Sequence, residues 1–399
     1  MHDRRDFLRL GLGSALGLGS LAGSTSHAAA EPQIRRYARL GKTELKISDI
    51  SFGSASSSDP ALVRHAFERG INYFDSAESY RGGNAEEAIG AALQGKRDKV
   101  ILTSKTKAGA SDTRMDMMQA LEQSLKRLRT EYVDVYFNHA VNDVARMQNQ
   151  EWWEFTALAK KQGKIRFRGM SGHGGNLVEC LDYAIDKNLV DVILVAYNFG
   201  HDPKFVDKIR HTFHWAALQP ELPRVLTKAK QKDIGIVAMK VLMGAKLNDM
   251  RPYENGKSTF AQAAFRWTLS SQYADALIVS MTDKSQIDEY LGASGDYKLR
   301  QGEVDLLNRY AQLQRSNYCQ PACNACESSC PNNVEIAEVL RTRMYAVDYR
   351  DPLLAKSEYA ALQTNAAACV SCVHQSCLNQ CPNGVPIATL TRDAALRLG

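Results

Sequence analysis

Short apolar runs alternate with longer amphipathic stretches between residues 47 and 300, and this alternation constrains the fold more than any other feature of the chain. The runs are rich in β-branched and aromatic side chains, which is typical of buried strands. The stretches between them place apolar residues three and four positions apart, which predicts helices. The eight predicted strands read ISDISFG, INYFD, KVILTSK, YVDVYFN, IRFRGMS, DVILVAYN, IGIVAMK and ALIVSM.

Strands that alternate with helices form parallel β-α units, so the predicted fold class is α/β. Eight such units in about 250 residues fit a (β/α)8 TIM barrel. A doubly wound open sheet is the alternative, but the first strand is not followed by the GxGxxG motif that such sheets use to bind dinucleotides. We therefore predict a barrel over residues 31–300, in which all strands end on one rim.

Four polar residues follow predicted strands at the ends that would share this rim. They are Asp75, Tyr80, Lys105 and His139. A tyrosine can give a proton to a carbonyl oxygen, and a nearby lysine lowers the pKa of that tyrosine by favouring the phenolate. An aspartate keeps the lysine charged, and a histidine orients the substrate oxygen. These residue types at successive strand ends predict proton-coupled carbonyl chemistry.

The residues after position 300 differ in character, because they hold eight of the nine cysteines. Both cysteine sets close with C-x3-C-P, and the segments CPNNVEIAEVLR and CPNGVPIATLTR agree at seven of twelve positions. Four thiolates are what a [4Fe–4S] cluster requires, so the two sets predict two clusters. The predicted ligands are Cys319, Cys323, Cys326 and Cys330 in the first set, and Cys369, Cys372, Cys377 and Cys381 in the second.

Other uses of eight cysteines stay open. Zinc accepts four thiolates, although C-x3-C-P is a poor zinc spacing. An even number of cysteines in an exported protein also suits disulfides. The segment between the two sets has the apolar spacing of helices, so we predict a small helical domain over residues 301–399. Clusters in this domain would either carry electrons or only stabilise its fold.

The first 30 residues have the composition of an export signal. Arg4 and Arg5 open the twin-arginine pattern RRDFL, an apolar stretch follows, and SHAAA supplies small residues for cleavage. Twin-arginine export carries folded proteins, so a periplasmic protein can receive its clusters in the cytoplasm. Removal of this segment changes the net charge from +6 to +5, and no block of like charges indicates a nucleic-acid partner. No apolar run of the mature chain reaches the roughly 18 residues of a membrane span.

Three sequence blocks closely resemble the aldo-keto reductase family and occur in the family's order. They read FDSAESY followed by Glu86 and Gly90, then KRLRTEYVDVYFNH, then KKQGKIRFRGMSGH. The resemblance covers roughly residues 35–292 and implies an enzyme that interconverts a carbonyl and an alcohol. It also implies that Tyr80 is the acid/base and that His139 orients the substrate. Lys105 and Asp75 would then tune the tyrosine.

The same resemblance suggests where a nicotinamide would bind. Ser171 and Asn198 correspond to positions that contact the nicotinamide amide, whereas Leu194 stands where the family has a glutamine. Lys240 stands where the family stacks an aromatic ring, and Lys284 is the only cation near the loop that binds the 2′-phosphate of NADP. The source of electrons therefore stays open: either NADP(H) or NAD(H) binds here, or electrons arrive through the clusters.

The cysteine sets are similar to those of bacterial two-cluster ferredoxins, in which the fourth cysteine of each set ligates the other cluster. This resemblance implies one cluster on Cys319, Cys323, Cys326 and Cys381, and another on Cys369, Cys372, Cys377 and Cys330. We therefore interpret the chain as an exported, periplasmic oxidoreductase with a ferredoxin-like domain, a small-molecule substrate and a redox partner. The alternative is an electron-transfer protein whose barrel is a docking or sensing module without chemistry.

Overall fold

The computed structural model of the protein describes residues 31–202, 221–242, 250–254, 256, 258–314, 319, 325–348 and 351–399. Pro32–Gly399 forms one compact unit, which includes both the predicted barrel and the cysteine-rich region, defined here as residues 319–399. The predicted export signal and Cys323 lie outside the described residues. Within the described ranges, no helix is both long enough and apolar enough to cross a membrane.

Eight parallel strands form a closed barrel, as the alternating pattern predicts. The strands in chain order are β1 (Tyr37–Arg39), β2 (Lys46–Ser48), β3 (Ile50–Gly53), β4 (Tyr73–Asp75), β5 (Ile101–Thr106), β6 (Val133–Asn138), β7 (Ile165–Gly172), β8 (Val192–Ala196), β9 (Gly235–Met239) and β10 (Ala276–Ser280). The barrel runs in sequence order from β3 to β10, and β10 pairs with β3 to close it. All eight of the predicted strands are therefore confirmed.

Helices surround the barrel, and polar caps define where several of them begin. They are α1 (Pro60–Glu68), α2 (Asn84–Ala92), α3 (Arg114–Leu128), α4 (Val144–Gln148), α5 (Gln150–Lys161), α6 (Leu177–Asp186), α7 (Leu222–Gln231), α8 (Phe260–Ser270), α9 (Lys284–Leu291) and α10 (Gln301–Gln314). Before α3, the Thr113 hydroxyl accepts from the Asp116 backbone nitrogen, and the Asp116 carboxylate accepts from that of Thr113. Such a reciprocal cap satisfies two backbone groups that the helix leaves unpaired.

The antiparallel hairpin of β1 and β2 closes the end of the barrel at which the strands begin. Leu40 and Ile47 of this segment pack into the core inside the barrel. The turn at Gly41 has a φ of +47°, and a Cβ atom there would lie 2.3 Å from the backbone nitrogen of Gly235. Only glycine permits so close an approach. Because the hairpin covers this end, a ligand would enter from the opposite rim.

The barrel packing extends beyond the boundary that we predicted at residue 300. Leu306, Leu307 and Tyr310 of α10 are buried in the core between the strands and the outer helices. Tyr310 also stacks on Phe260 of α8, with ring centres 4.3 Å apart. α10 therefore packs as part of the barrel, and the change in sequence character at residue 300 does not mark a structural boundary.

The cysteine-rich region has its own small apolar core and is helical, as predicted. Its helices are α11 (Ile336–Val347), α12 (Pro352–Ala360) and α13 (Ile387–Leu398). The sequence repeat is also a structural one, because Asn333 N donates to the Cys330 carbonyl and Gly384 N to the Cys381 carbonyl, each over 3.1 Å. Both turn residues are left-handed, with φ of +51° at Asn333 and +67° at Gly384. Asparagine and glycine tolerate this conformation best.

Candidate active site

A cavity of about 210 Å³ lies at the rim where the barrel strands end. All four predicted catalytic residues line it: Asp75, Tyr80, Lys105 and His139. Asp75 is the last residue of β4, Lys105 lies near the end of β5, and His139 directly follows β6. Neighbouring parallel strands therefore bring together side chains that are distant in the sequence.

Asp75 and Lys105 form a buried ion pair in the wall of the cavity. Lys105 Nζ lies 2.7 Å from Asp75 Oδ2 and donates to the backbone carbonyl of Ser76 over 2.5 Å. Asp75 also accepts a hydrogen bond from Thr103 Oγ1 over 3.0 Å. Burial raises the pKa of Asp75 and lowers the pKa of Lys105, and the charge of each partner opposes that shift. The pair therefore holds a cation beside the reacting group without an uncompensated charge.

Tyr80 lies in a short turn after β4, with Lys105 Nζ 5.0 Å from the centre of its ring. We expected this lysine to lower the pKa of the tyrosine, but the net shift is in the opposite direction. Burial raises the pKa of Tyr80 well above 10.0, and the nearby Asp75, Tyr345 and Glu358 raise it further. The charge of Lys105 is shared with its hydrogen-bonded aspartate, so its attraction for the phenolate is smaller than the effect of burial. Tyr80 is therefore a protonated phenol that can donate a proton.

His139 meets Tyr80 edge-on, with ring centres 5.5 Å apart. Burial lowers the pKa of His139 well below 6.5, and the charges of Lys105 and Lys107 lower it further. The ring is therefore neutral at pH 7, and one of its nitrogens carries a proton. Its Nδ1 atom is buried and has no hydrogen-bond partner in the described part of the chain. A neutral histidine in this place can donate to a substrate oxygen.

Two of the four residues predicted to bind a cofactor line the cavity. Ser171, near the end of β7, lines it and accepts a hydrogen bond from the Ala140 backbone nitrogen over 2.9 Å. Lys240, which directly follows β9, lines it beside Met239. The cavity thus presents a hydroxyl and an amine at positions where the resemblance implies contacts to a nicotinamide.

The other two predicted cofactor residues point to different roles. Asn198 Oδ1 accepts a backbone hydrogen bond within its own turn, and Asn198 Nδ2 donates to the Lys240 carbonyl over 3.1 Å. The asparagine amide therefore holds the rim together and is not part of the cavity lining. Lys284 is exposed at the start of α9, and the neighbouring positions that line the cavity are Ser280 and Gln286.

The cysteine-rich region covers the active-site cavity, although no pattern in the sequence indicates this contact. Tyr345 of α11 lines the cavity together with Asp351, Leu354 and Glu358 at and within α12. Three polar contacts join this region to the barrel: Lys240 Nζ to Tyr345 Oη at 3.0 Å, Arg81 Nη1 to Asp351 Oδ2 at 3.5 Å, and Lys107 Nζ to Glu358 Oε2 at 2.9 Å. No local sequence pattern marks these isolated residues, because their role depends on how the region docks on the barrel.

The described cysteines of the cysteine-rich region lie around two further, smaller cavities. Cys319, Cys326 and Cys381 line one of them. The other is lined by Cys330, Cys369, Cys372 and Cys377. None of Cys330, Cys369, Cys372, Cys377 and Cys381 is in a disulfide. Among the residues that the structure describes, no three cysteine, histidine or acidic side chains converge closely enough to hold a metal ion.

Known proteins share the barrel part of this chain. YqkF of Bacillus subtilis, named an uncharacterized oxidoreductase, is 29% identical over 185 residues, which cover 42% of this chain and 58% of that protein. L-galactose dehydrogenase of Arabidopsis thaliana is 26% identical over 296 residues, or 64% of this chain and 86% of that protein. A solved aldo-keto reductase from Klebsiella pneumoniae, in complex with NADPH, has a TM-score of 0.52 at 23% identity and covers 71% of this chain and 95% of its own.

The sequence model of the aldo/keto reductase family matches residues 49–258, which is more than half of the chain. This range contains the four residues that meet at the rim of the closed barrel. L-galactose dehydrogenase and the L-glyceraldehyde 3-phosphate reductase of Escherichia coli O157:H7, which is 24% identical over 69% of this chain, are named for such activities, which favours an enzyme over a barrel without chemistry. The chain is an oxidoreductase and belongs to the aldo/keto reductase family.

Proposed function

We propose that the protein is an exported oxidoreductase that interconverts a carbonyl and an alcohol, and that two [4Fe–4S] clusters in its cysteine-rich region exchange electrons with the reaction. The observation that carries the proposal is a single cavity in which Tyr80, His139 and the pair of Asp75 and Lys105 meet beneath the cysteine-rich region. The barrel supplies the proton chemistry, and the region above it would supply the redox centres.

Reduction of a carbonyl adds two electrons and two protons, so that one hydrogen ends on carbon and the other on oxygen. Tyr80 is protonated because burial raises its pKa, and it gives its proton to the oxygen. The neutral His139 donates a hydrogen bond to the same oxygen and fixes its direction. The ammonium of Lys105, 5.0 Å from the tyrosine ring, stabilises the phenolate that remains. In the oxidation direction, the phenolate accepts the proton of the alcohol.

A bound nicotinamide would supply the hydrogen on carbon as a hydride. The relative from Klebsiella pneumoniae holds NADPH. In this chain Ser171 lines the cavity at a position expected to contact the nicotinamide amide. The end of β10 and the first turn of α9 contribute Ser280 and Gln286 to the cavity, and neither side chain gives a 2′-phosphate the charged contacts that usually carry phosphate recognition. If a nicotinamide binds, this lining favours NAD(H) over NADP(H).

The grouping of the cysteines supports two clusters. Their two cavities collect the described cysteines in the combination that the ferredoxin resemblance implies. A four-iron cluster requires four thiolates, and the described part of the chain places four cysteines around one cavity and three around the other. Bound clusters would supply or remove the two electrons one at a time, and the hydrogen on carbon would then come from water, or return to it, as a proton.

Helix α11 runs past all three cavities, which supports transfer between the proposed clusters and the substrate. Ile336 lines one cysteine cavity, Leu340 lines the other, and Tyr345 lines the cavity of the active site. With a rise of 1.5 Å per residue, the helix separates Leu340 from Tyr345 by about 7.5 Å along its axis. The cavity of Cys319, Cys326 and Cys381 would therefore hold the cluster nearer to the substrate.

Replacement of the tyrosine tests the proposed chemistry. We expect Tyr80→Phe to lower turnover of carbonyl substrates by about 10²- to 10⁴-fold, because it removes the proton donor. The control is Tyr136→Phe, which removes a buried hydroxyl outside the cavity from a ring that packs against Phe155 of α5. Cluster absorbance in both variants should equal that of the wild type. Full turnover by Tyr80→Phe would show that the assignment of the acid is wrong.

The electron source is tested by titration of anaerobically reconstituted protein. NADPH and then NADH are added while nicotinamide fluorescence and iron–sulfur absorbance are followed. If a nicotinamide serves the reaction, we expect saturable binding of NADH that is tighter than that of NADPH. No binding at millimolar nucleotide, combined with reoxidation of reduced clusters by a carbonyl substrate, would assign electron supply to the clusters. Failure of both would contradict the proposed reaction.

Export is tested through the arginine pair. The full-length chain and its Arg4→Lys, Arg5→Lys double variant are expressed in a host with twin-arginine export, and the periplasmic fraction is probed. We expect the mature protein in the periplasm only when both arginines are present. Equal amounts of periplasmic protein from the two chains would contradict export by this pathway.

A further inference from the structure

Lys240 and Tyr345 form a polar pair at the cavity, apart from the four residues to which the proposed chemistry assigns roles. Lys240 follows β9 and Tyr345 lies in the last turns of α11, so the pair joins the barrel to the cysteine-rich region. Lys240 Nζ lies 3.0 Å from Tyr345 Oη and 5.3 Å from the centre of the tyrosine ring. Both side chains line the same cavity as Tyr80 and His139.

The backbone at Lys240 is held in an unusual conformation. Its φ of +55° lies in the left-handed region, which lysine seldom adopts. The Asn198 side chain donates to the Lys240 carbonyl over 3.1 Å and so fixes the residue at the rim. Backbone conformations of this kind concentrate at functional sites, where neighbouring groups hold them. The position therefore has the support expected of a ligand-contacting residue.

The other charges at the cavity are paired, whereas the charge of Lys240 is not. Three ion pairs join these charged groups: Asp75 with Lys105, Asp351 with Arg81, and Glu358 with Lys107. No carboxylate in the described ranges lies within ion-pair distance of Lys240 Nζ, and Tyr345 offers it only a hydroxyl. An amine in this setting lacks a counter-charge that a ligand can supply.

Burial and a neighbouring cation disfavour the charged form of Lys240. Burial lowers the pKa of Lys240 well below 10.5 and the charge of Arg341 lowers it further, whereas the charge of Glu358 raises it. Burial also lowers the pKa of His139 and of His173, and in both cases the charge of Lys240 contributes. The charge of Lys240 therefore disfavours the charged forms of both histidines. An anion placed among them would favour the ammonium of the lysine and be stabilised by it.

We propose that Lys240 and Tyr345 bind a carboxylate of the substrate, so that the enzyme acts on oxo acids and the corresponding hydroxy acids. The inference rests on the proposed carbonyl chemistry, because the reacting oxygen is placed at Tyr80 and His139. The ammonium and the phenol give two donors, one for each carboxylate oxygen. The cysteine-rich region therefore helps to select the substrate, because it supplies Tyr345.

A kinetic comparison of acids with their esters tests this selection. Mature protein with reconstituted clusters is given straight-chain 2-oxo acids and their methyl esters, with NADH, NADPH or reduced methyl viologen as the electron donor. We expect kcat/KM to be about tenfold or more higher for each acid, in line with the loss of a charge-assisted hydrogen bond in the ester. Equal use of acid and ester by the wild type would overturn the proposal.

Substitutions test whether Lys240 and Tyr345 cause the preference for the acid over the ester. Lys240→Met should lower kcat/KM for the acid about tenfold more than for the ester, and Lys240→Arg should restore part of this difference. Tyr345→Phe should lower kcat/KM for the acid by about tenfold, because it removes one hydrogen bond to the charged carboxylate. Lys187→Met, which removes an exposed lysine from the surface, is the matched control and should leave both rates unchanged. An equal loss for acid and ester in Lys240→Met would mean that the lysine is structural.

Calorimetric binding of oxamate, with oxamide as the uncharged control, separates this inference from the proposed reaction. We expect oxamate to bind the wild type and the dissociation constant to rise about tenfold in Lys240→Met. If oxamate binds in this way but no panel compound is turned over, the carboxylate site stands and the proposed reaction fails. If oxamate does not bind the wild type, or if Lys240→Met loses NADH or NADPH binding and keeps oxamate binding, the carboxylate site is wrong.

Discussion

The barrel and the cysteine-rich region differ in the size of the apolar cores that stabilise them. The barrel has one apolar core inside its strands and another between the strands and the helices. The cysteine-rich region has a single small core against which five of its described cysteines pack, and it leaves side chains such as Val373 and Leu396 82% and 76% exposed. Burial of apolar surface suffices to stabilise the barrel. A region with so small a core depends on further cross-links, and the proposed clusters would provide them.

The largest expected effect is the removal of iron. We expect protein produced without iron to lose amide protection throughout α11, α12 and α13, because the cysteines then no longer cross-link the segments around them. Barrel strands β3 to β10 should keep the protection of the reconstituted protein. Hydrogen exchange followed by mass spectrometry measures both regions in one sample. Unchanged protection of the three helices without iron would mean that the small core suffices.

Within the barrel, the largest effect should come from breaking its buried ion pair. Lys105→Met leaves the Asp75 carboxylate buried without its partner and should lower the free energy of unfolding by about 3–5 kcal/mol. The double variant that adds Asp75→Asn should recover much of this loss, because it removes the uncompensated charge. Urea unfolding followed by tryptophan fluorescence reports this, since all four tryptophans precede residue 300. Equal losses in the single and double variants would contradict the explanation.

A smaller effect should appear in the barrel at acid pH. Burial lowers the pKa of His201 from 6.5 to about 4, and its Nε2 atom has no hydrogen-bond partner in the described part of the chain. Between these pH values the unfolded chain binds the proton and the folded chain does not, so the free energy of unfolding falls as the pH is lowered from about 6.5 to about 4. The full loss would be roughly 3 kcal/mol.

The variant His201→Gln isolates this contribution. It should flatten the pH dependence of the free energy of unfolding between pH 6.5 and pH 4, measured by urea unfolding at each pH. His374 of the cysteine-rich region is exposed, and His374→Gln should leave the dependence unchanged. An unaltered slope in His201→Gln would assign the acid sensitivity to other groups.

The smallest expected effect concerns the turns of the cysteine repeat. Gly384 has a φ of +67° with open space around it, so Gly384→Ala should cost about 1 kcal/mol through backbone strain alone. Gly384→Asn should cost less, because Asn333 adopts the same conformation in the other copy of the repeat. Hydrogen exchange of α13 amides in the reconstituted protein measures the loss of stability in each of the two variants. Equal costs for alanine and asparagine would show that strain at this φ is not the cause.

The sequence alone determined the elements whose patterns are local. The eight barrel strands were predicted because each apolar run carries its own signal, and parallel strands in a barrel must end on one rim. Asp75, Tyr80, Lys105 and His139 could be placed together for the same reason. The hairpin of β1 and β2 was missed because strands of three residues are too short to show a period.

Only the tertiary structure decided what the cysteine-rich region does to the active site. Tyr345, Asp351 and Glu358 reach the cavity through docking of α11 and α12 on the barrel, and docking depends on contacts between residues far apart in the sequence. The same docking helps to raise the pKa of Tyr80, which we had predicted to be lowered. A local pattern specifies which side chains lie at a strand end. Burial and charge at that place depend on everything that packs over it, and packing is a property of the whole fold.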